Sequence, residues 1–233
     1  MVVRSIWSPQ QEAKLNAWHR MQTIVDPERP APCFTISREF GCQAVAVAES
    51  LVARLNSRVS GEPWVVIGRE ILEEVSELSG YSVEQIEKSQ DTPASLKAIF
   101  SMFLDNSRAE ETEVFSHMRS VIRGFAQRGH CVLVGRGAVF AVQDLPNCIN
   151  LRLVAPAEFR IKKIMQVHSL SEEEAIEYIE LHQQQRDDFI RRFADGLIAD
   201  PLLYHLVINN AHLDAERIAE LVEEYMIRYA TNW

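Results

Sequence analysis

The sequence predicts an α/β protein in which helices cover both faces of a parallel sheet. Short apolar runs bounded by turn residues alternate with longer segments of helical periodicity, and the chain contains no internal repeat. Strands that alternate with helices in this way form parallel sheets that are buried on both faces. The predicted strands are Cys33–Ser37, Trp64–Ile67, Cys131–Val134, Cys148–Val154 and Leu206–Asn209.

The first predicted strand leads into a turn and a helix within the segment "FTISREFGCQAVAVAESLVARL", which runs from Phe34 to Leu55. The turn holds a single glycine, Gly41. Apolar residues then recur at helical spacing. They are Ala44, Ala48, Leu51, Val52 and Leu55.

Capping residues and periodicity predict the remaining helices. Ser171 with Glu174 forms a capping box before a long polar helix that ends at about Phe193. Proline at the first position and a serine cap predict an N-terminal helix that packs on the core or on another chain. The other predicted helices are Pro9–Ile24, Gly68–Tyr81, several within 82–128, Ala155–Val167, and one from Asp214 to about Tyr229.

Length and composition bound the class of protein. The chain has 233 residues, of which 47% are hydrophobic and 24% charged, as expected for one globular domain with an insertion or two small domains. The net charge of -9 argues against broad binding to nucleic acid or to anionic membranes. The four cysteines lack metal-ligand spacing. Without a signal-peptide stretch or a membrane-spanning run, we expect a cytoplasmic protein.

Three predicted strands end in residues that are typical of ligand sites. The first ends in "SREFG", the third in "GRG" with Arg136, and the last in Asn209 and Asn210. Ligands of open parallel sheets bind beyond the carboxyl ends of the strands, and guanidinium groups bind phosphate bidentately. An anion site at these strand ends is one interpretation. The other is that the arginines pair with nearby carboxylates such as Glu39.

The turn after the first strand is placed where a helix N-terminus binds anions, and Gly41 permits a close approach. A complete nucleotide loop has the pattern G-x-x-x-x-G-K-[ST]. Here Ala44 stands roughly at the lysine position and Ala46 at the hydroxyl position. On pattern alone, the segment fits an ordinary strand–helix corner equally well.

A further group of basic residues lies between Arg152 and Arg192, on two predicted helices. A solvated charged helix is the usual meaning of such a run. The alternative is a mobile lid that places arginines over a transferring phosphoryl group. The residues are Arg160, Lys162, Lys163, Arg186, Arg191 and Arg192.

Several segments, in order, resemble the cytidylate kinase-like family, whose members are relatives of nucleoside monophosphate kinases. The resemblance covers about Pro32 to Val222, and "SREFG", "VGRGA" and "APAEFRIKKI" are its most specific parts. It implies a three-layer α/β/α P-loop kinase-like fold with a five-stranded parallel sheet. The domain would span 32–233 after an N-terminal helical arm at 1–31, with a helical acceptor-region insertion at about 75–128 and a lid at about 168–200.

The resemblance also implies ATP as donor, Mg²⁺, and a nucleoside monophosphate such as CMP as acceptor. It assigns no residue as a metal ligand. By position, Arg136 would contact the acceptor, while Arg160, Arg186 and Arg192 would neutralise charge near the lid. The donor phosphates would be held by the loop residues Ser37, Arg38, Glu39, Gly41, Cys42, Gln43, Ala44 and Val45.

The loop departs from the family pattern. Where the family carries "GSGGRE", this chain has Gly41 followed by "CQAVA", so two glycines and a basic residue are replaced. The second strand ends in Gly68 instead of an aspartate. We expect a nucleotide kinase with a degenerate phosphate-binding loop. The alternatives are a catalytically inactive nucleotide-sensing or scaffold protein, and a structural protein that forms a homodimer through its N-terminal helix.

Overall fold

The structure is a computed structural model that describes residues 31–58, 62–68, 107–135, 137–193 and 198–230. Five strands lie within these residues: β1 Cys33–Arg38, β2 Val65–Ile67, β3 Cys131–Val134, β4 Cys148–Val154 and β5 Leu206–Asn209. The α-helices of the same residues are α1 Ala44–Arg58, α2 Ser107–Arg128, α3 Ala138–Ala141, α4 Ala157–His168, α5 Glu172–Phe193 and α6 Ala215–Ala230. A 3₁₀ helix spans Pro201–Leu203.

The five strands form one parallel sheet in the order β2-β3-β1-β4-β5. β1 is central, because Cys33 is paired with Cys131 on β3 and with Cys148 on β4. Further along, Ser37 of β1 lies opposite Arg152 of β4. Since all the strands run in one direction, their carboxyl ends meet at a single edge of the sheet. The predicted five-stranded parallel sheet is confirmed.

Helices cover both faces of the sheet, so the fold has the predicted three layers. Residues of β1 to β4 are divided between two separate apolar clusters, since successive side chains of a strand point to opposite faces. Cys33 and Leu133 pack with α2 and α3 on one face. Phe34, Ile36 and Leu151 pack with α1 and α6 on the other.

The helix starts follow the predicted caps. The backbone N–H of Ser171 donates to Glu174 Oε2 at 2.8 Å, and the N–H of Glu174 donates to Ser171 Oγ at 3.3 Å. This bond from the Ser171 amide lowers the pKa of Glu174. Asp214 Oδ1 accepts from the N–H of Arg217 at 2.9 Å, as expected of the residue that caps α6.

The structure differs from the predicted elements at a few places. α4 begins at Ala157 instead of Ala155, because Pro156 has the extended backbone of an N-cap. α3 and the 3₁₀ helix were not predicted, since four and three residues are too short for periodicity to register.

Other predictions lie outside the described residues. They are the helix Pro9–Ile24, all of the arm except Ala31, the helix Gly68–Tyr81 after its first residue, positions 75–106 of the insertion, and positions 194–197 of the lid.

A buried polar network joins β1, β4 and the start of β5. Thr35 Oγ1 donates to Asn150 Oδ1 at 2.7 Å, and the backbone N–H of Asn150 donates to His205 Nδ1 at 2.9 Å. The backbone N–H of His205 returns a bond to Asn150 O at 2.8 Å. His205 Nδ1 is therefore an acceptor and must be unprotonated. Burial lowers the pKa of His205 below its usual 6.5.

This lowered pKa predicts that the protein becomes less stable as the pH falls below about 6.5, because the unfolded chain then binds a proton that the folded state excludes. The His205→Asn variant keeps a side-chain acceptor but cannot titrate. We expect the wild type to lose about 1–2 °C more in Tm than this variant between about pH 7.5 and about pH 5.5. Equal losses in thermal melts of the two proteins would contradict the assignment of His205.

Candidate active site

A cavity of about 190 Å³ opens at the carboxyl edge of the sheet, between the ends of β1, β3 and β4 and the side of α5. Its charged lining residues, within the described part of the chain, are Arg38, Arg152, Arg186 and Asp187. Three guanidinium groups thus converge where open parallel sheets bind their ligands. The cavity is chemically suited to an anion with several acceptor oxygens.

Gly135 makes room for Arg38 in this cavity. Gly135 follows β3 with φ +78°, and a Cβ at this position would collide with Nη1 of Arg38. The left-handed backbone at the end of β3 therefore favours glycine, and the absence of a Cβ leaves space for the guanidinium group of Arg38. The two neighbouring strands predicted to form an anion site do meet, although Arg136, which follows Gly135, lies outside the described residues.

Arg186 extends from α5 over the turn that follows β1. Its Cζ lies 4.7 Å from the centroid of the Phe40 ring, a cation–π distance. On the same ring, His182 stacks with a centroid separation of 4.9 Å and an interplanar angle of 13°. Phe40 therefore docks α5 on the turn, and this docking holds Arg186 at the cavity.

Arg152 is a cavity residue that our sequence reasoning did not assign. It lies on β4, is only 7% exposed, and has its Cζ 5.8 Å from the centroid of the Tyr204 ring. Its Nη1 is buried and has no hydrogen-bond partner among the described residues. A signal was present in the sequence, because an arginine interrupts the otherwise apolar end of the strand Cys148–Val154.

Two backbone N–H groups of the turn between β1 and α1 already donate hydrogen bonds to side-chain oxygens. The N–H of Phe40 donates to Gln183 Oε1 at 2.8 Å, and the N–H of Gln43 donates to Asn210 Oδ1 at 2.8 Å. Gln183 also donates from Nε2 to Asp187 Oδ1 at 3.0 Å. A donor phosphate held by these amides would have to replace the amide oxygens of Gln183 and Asn210.

Arg160 supports the turn instead of lining the cavity. Its Nε donates to Ala155 O at 3.1 Å, and its Nη1 donates to Phe40 O at 3.4 Å. Its Nε also lies 3.7 Å from Glu39 Oε2, a carboxylate oxygen that accepts from the N–H of Ala155 at 3.0 Å. The pairing of an arginine with Glu39 that we considered is found, and the arginine is Arg160.

Two side chains of the turn are poorly suited to phosphate. Burial, and then the negative charge of Glu39, raise the pKa of Cys42 to about 11, so the thiol stays protonated. Val45 is 55% exposed in the first turn of α1 and offers no hydrogen-bonding group. At these two positions, any binding of phosphate would depend on the backbone amides.

The structure brings together only part of the predicted site. Three predicted residues line the cavity: Ser37, Arg38 and Arg186. Seven described residues are not part of its lining: Glu39, Gly41, Cys42, Gln43, Ala44, Val45 and Arg160. Arg136 lies outside the described residues, as does the side chain of Arg192 on α5. Their roles as ligands stay predictions.

The fold is that of a three-layer α/β protein with a cavity at the carboxyl edge of its parallel sheet. The family model of the cytidylate kinase-like family matches residues 33–212. The chain belongs to this family, and the predicted P-loop kinase-like fold is confirmed. No curated protein matches the chain.

Solved structures that are similar to this chain have low sequence identity to it. An uncharacterized protein from Eubacterium ventriosum ATCC 27560 has a TM-score of 0.61 and 18% identity, with 84% of this chain and 98% of that chain covered. Shikimate kinase from Acinetobacter baumannii, in complex with shikimate, has a TM-score of 0.48 and 14% identity, with 91% and 97% covered. Dephospho-CoA kinase from Campylobacter jejuni has a TM-score of 0.35 and 15% identity, with 84% and 97% covered.

The described residues contain neither a helix that could span a membrane nor a cluster of side chains that could hold a metal ion. None of their helices has the length and apolar character needed to cross a membrane. They also contain no group of three or more His, Cys, Asp or Glu side chains placed to hold a metal ion.

The close packing of Gly41 against α4 predicts that Gly41→Ala destabilises the protein. Gly41 has φ +93°, and an added Cβ would lie 2.8 Å from Cβ of Arg160. We expect a loss of about 1–3 kcal/mol in the free energy of unfolding, measured by urea denaturation. Gly68→Ala is the matched control, since the nearest heavy atom to its added Cβ among the described residues is Val134 O at 4.0 Å. Equal stability of the two variants would contradict this packing role.

Proposed function

We propose that the protein is a nucleotide kinase that transfers the γ-phosphate of ATP to a nucleoside monophosphate such as CMP. The observation that carries the proposal is the cavity at the strand ends, where Arg38, Arg152 and Arg186 converge. Membership of the cytidylate kinase-like family supports the reaction class. The acceptor would place its phosphate among the three guanidinium groups.

The chemistry of phosphoryl transfer suits such a site. The reaction needs positioning and stabilisation of charge on the phosphoryl oxygens, and little covalent work from the protein. Arg186 is held over the turn by Phe40 and would lie near both the acceptor phosphate and the transferring group. Asp187 is the only carboxylate among the described lining residues. It would be the chain's own ligand to a Mg²⁺ ion bound mainly by the phosphates of ATP.

Replacing Arg186 by methionine should lower the rate of ADP release in the presence of ATP, Mg²⁺ and CMP. Loss of one preorganised charged contact to the transition state costs about 10²–10³ in kcat. Arg191→Met is the matched control on the same helix, because Arg191 pairs with Asp188 and is 68% exposed. A coupled spectrophotometric assay measures both variants. The assignment of Arg186 is wrong if the two variants keep the same activity.

A second candidate function is nucleotide binding without turnover. It is favoured by the turn, where Gln183 and Asn210 occupy the N–H groups of Phe40 and Gln43. Ala44 and Ala46 also stand roughly where a complete loop has the lysine that contacts the donor phosphates and the hydroxyl that binds Mg²⁺. A protein of this kind would bind a nucleotide in the arginine cavity and release no ADP.

Gln183→Ala separates the two candidates. Removing the Gln183 oxygen exposes the N–H of Phe40, so a kinase should bind ATP about 3- to 10-fold more tightly in titration calorimetry, the gain expected from one freed hydrogen-bond donor. Gln184→Ala, at the exposed neighbouring position, is the control and should leave the affinity for ATP unchanged. If neither the wild type nor Gln183→Ala binds ATP, while CMP binds both, the kinase proposal fails and binding without turnover stands.

A further inference from the structure

We infer that Arg152 is a ligand-binding residue and that the cavity around it takes a phosphate monoester in its dianionic form. The inference rests on the proposed function, because it names the part of the acceptor that the cavity binds. No sequence motif of the chain assigned a role to Arg152. The inference follows from the position of Arg152 at the edge of the sheet and from its burial.

The burial of Arg152 is unfavourable in the ligand-free protein. The residue is 7% exposed, and its Nη1 has no hydrogen-bond partner within the part of the chain that the structure describes. An isolated buried charge is costly unless it is paired and hydrogen-bonded. The Tyr204 ring, 5.8 Å from Cζ, offers a cation–π contact but no acceptor oxygen. A bound anion would supply both the missing acceptor and the missing charge.

The guanidinium group of Arg152 lies at the cavity together with those of two other arginines. Arg152 lies opposite Ser37 in the register of β1 and β4, and both residues line the cavity. Arg38, one residue after Ser37, and Arg186 of α5 line the same space. Two central strands and a helix therefore each contribute one arginine to a single cavity. An anion there would receive donors from several directions, as phosphate oxygens require.

The formal charge of the cavity lining favours a ligand with two negative charges. Three arginines and one aspartate line the cavity among the described residues, which is a formal excess of two positive charges in the lining. A phosphate monoester carries a charge of about -1.5 to -2 near neutral pH. A phosphodiester or a carboxylate carries about one negative charge and would match this formal excess less closely. The matching ligand is a dianion with three terminal oxygens.

The experiment measures the affinity of the wild type and of Arg152→Met for CMP, cytidine and inorganic phosphate by titration calorimetry. We expect CMP to bind the variant about 10- to 100-fold more weakly, because a charge-assisted bidentate contact is lost. Cytidine lacks the phosphate, so we expect it to bind more weakly than CMP and with the same affinity to the wild type and the variant. Arg152→Lys keeps the charge without the planar fork, and its affinity for CMP should fall between those of the other two proteins.

A second measurement separates ligand binding from a structural role. Methionine fills the site of a buried charge that lacks a partner, so ligand-free Arg152→Met should have a Tm equal to or above that of the wild type. The increase in Tm on adding CMP should be smaller in the variant. Arg217→Met removes one positive charge from an exposed position of α6 and should change neither quantity.

The outcomes distinguish this inference from the proposed function. If inorganic phosphate and CMP bind equally well and both depend on Arg152, the inference stands and a nucleotide acceptor is contradicted. If CMP binds wild type and Arg152→Met equally, the inference is overturned, whatever ADP release the protein catalyses. It is also overturned if neither CMP nor inorganic phosphate binds the wild type, or if Arg152→Met lowers the ligand-free Tm and weakens the binding of cytidine as much as that of CMP.

Discussion

The central position of β1 between β3 and β4 is the constraint on which the rest of the site depends. Because all three strands are parallel, the residues that follow them are brought to one edge, and the side chains there must share a small space. Gly135 at the end of β3 leaves room for Arg38 at the end of β1. Arg152 enters the same space from β4. The sheet therefore gathers positive charge from strands that are distant in the chain.

Arginines that are brought together and buried at this edge lower the stability of the ligand-free fold. Contacts within the protein offset this cost for some of these arginines but not for Arg152. Arg186 is stabilised over Phe40, and Arg160 is neutralised by Glu39. The buried Nη1 of Arg152 has no such partner among the described residues. The turn after β1 has the opposite arrangement, since side-chain oxygens satisfy its Phe40 and Gln43 amides. In this structure Arg152 of the cavity lacks an acceptor for its Nη1 among the described residues, whereas two amides of the turn already have one.

The sequence predicts those features of this fold that are local, and misses those that depend on distant partners. All five strands, and the cap at Ser171 with Glu174, follow from apolar runs and capping residues a few positions apart. The bond between Gln43 and Asn210 joins residues 167 positions apart, and no local pattern encodes it. Arg152 stands out in an apolar strand, but its role depends on which strands lie beside it. Resemblance to the family supplied the fold and the reaction class.

The account's central claim is that the phosphate of a ligand binds among Arg38, Arg152 and Arg186 at the edge of the sheet. A crystal structure of the protein with CMP tests it most directly. We expect the phosphate oxygens to lie within about 3.2 Å of guanidinium nitrogens of all three residues, including Nη1 of Arg152. A phosphate bound at the backbone amides that follow Gly41, with Arg152 still unpartnered, would contradict the account.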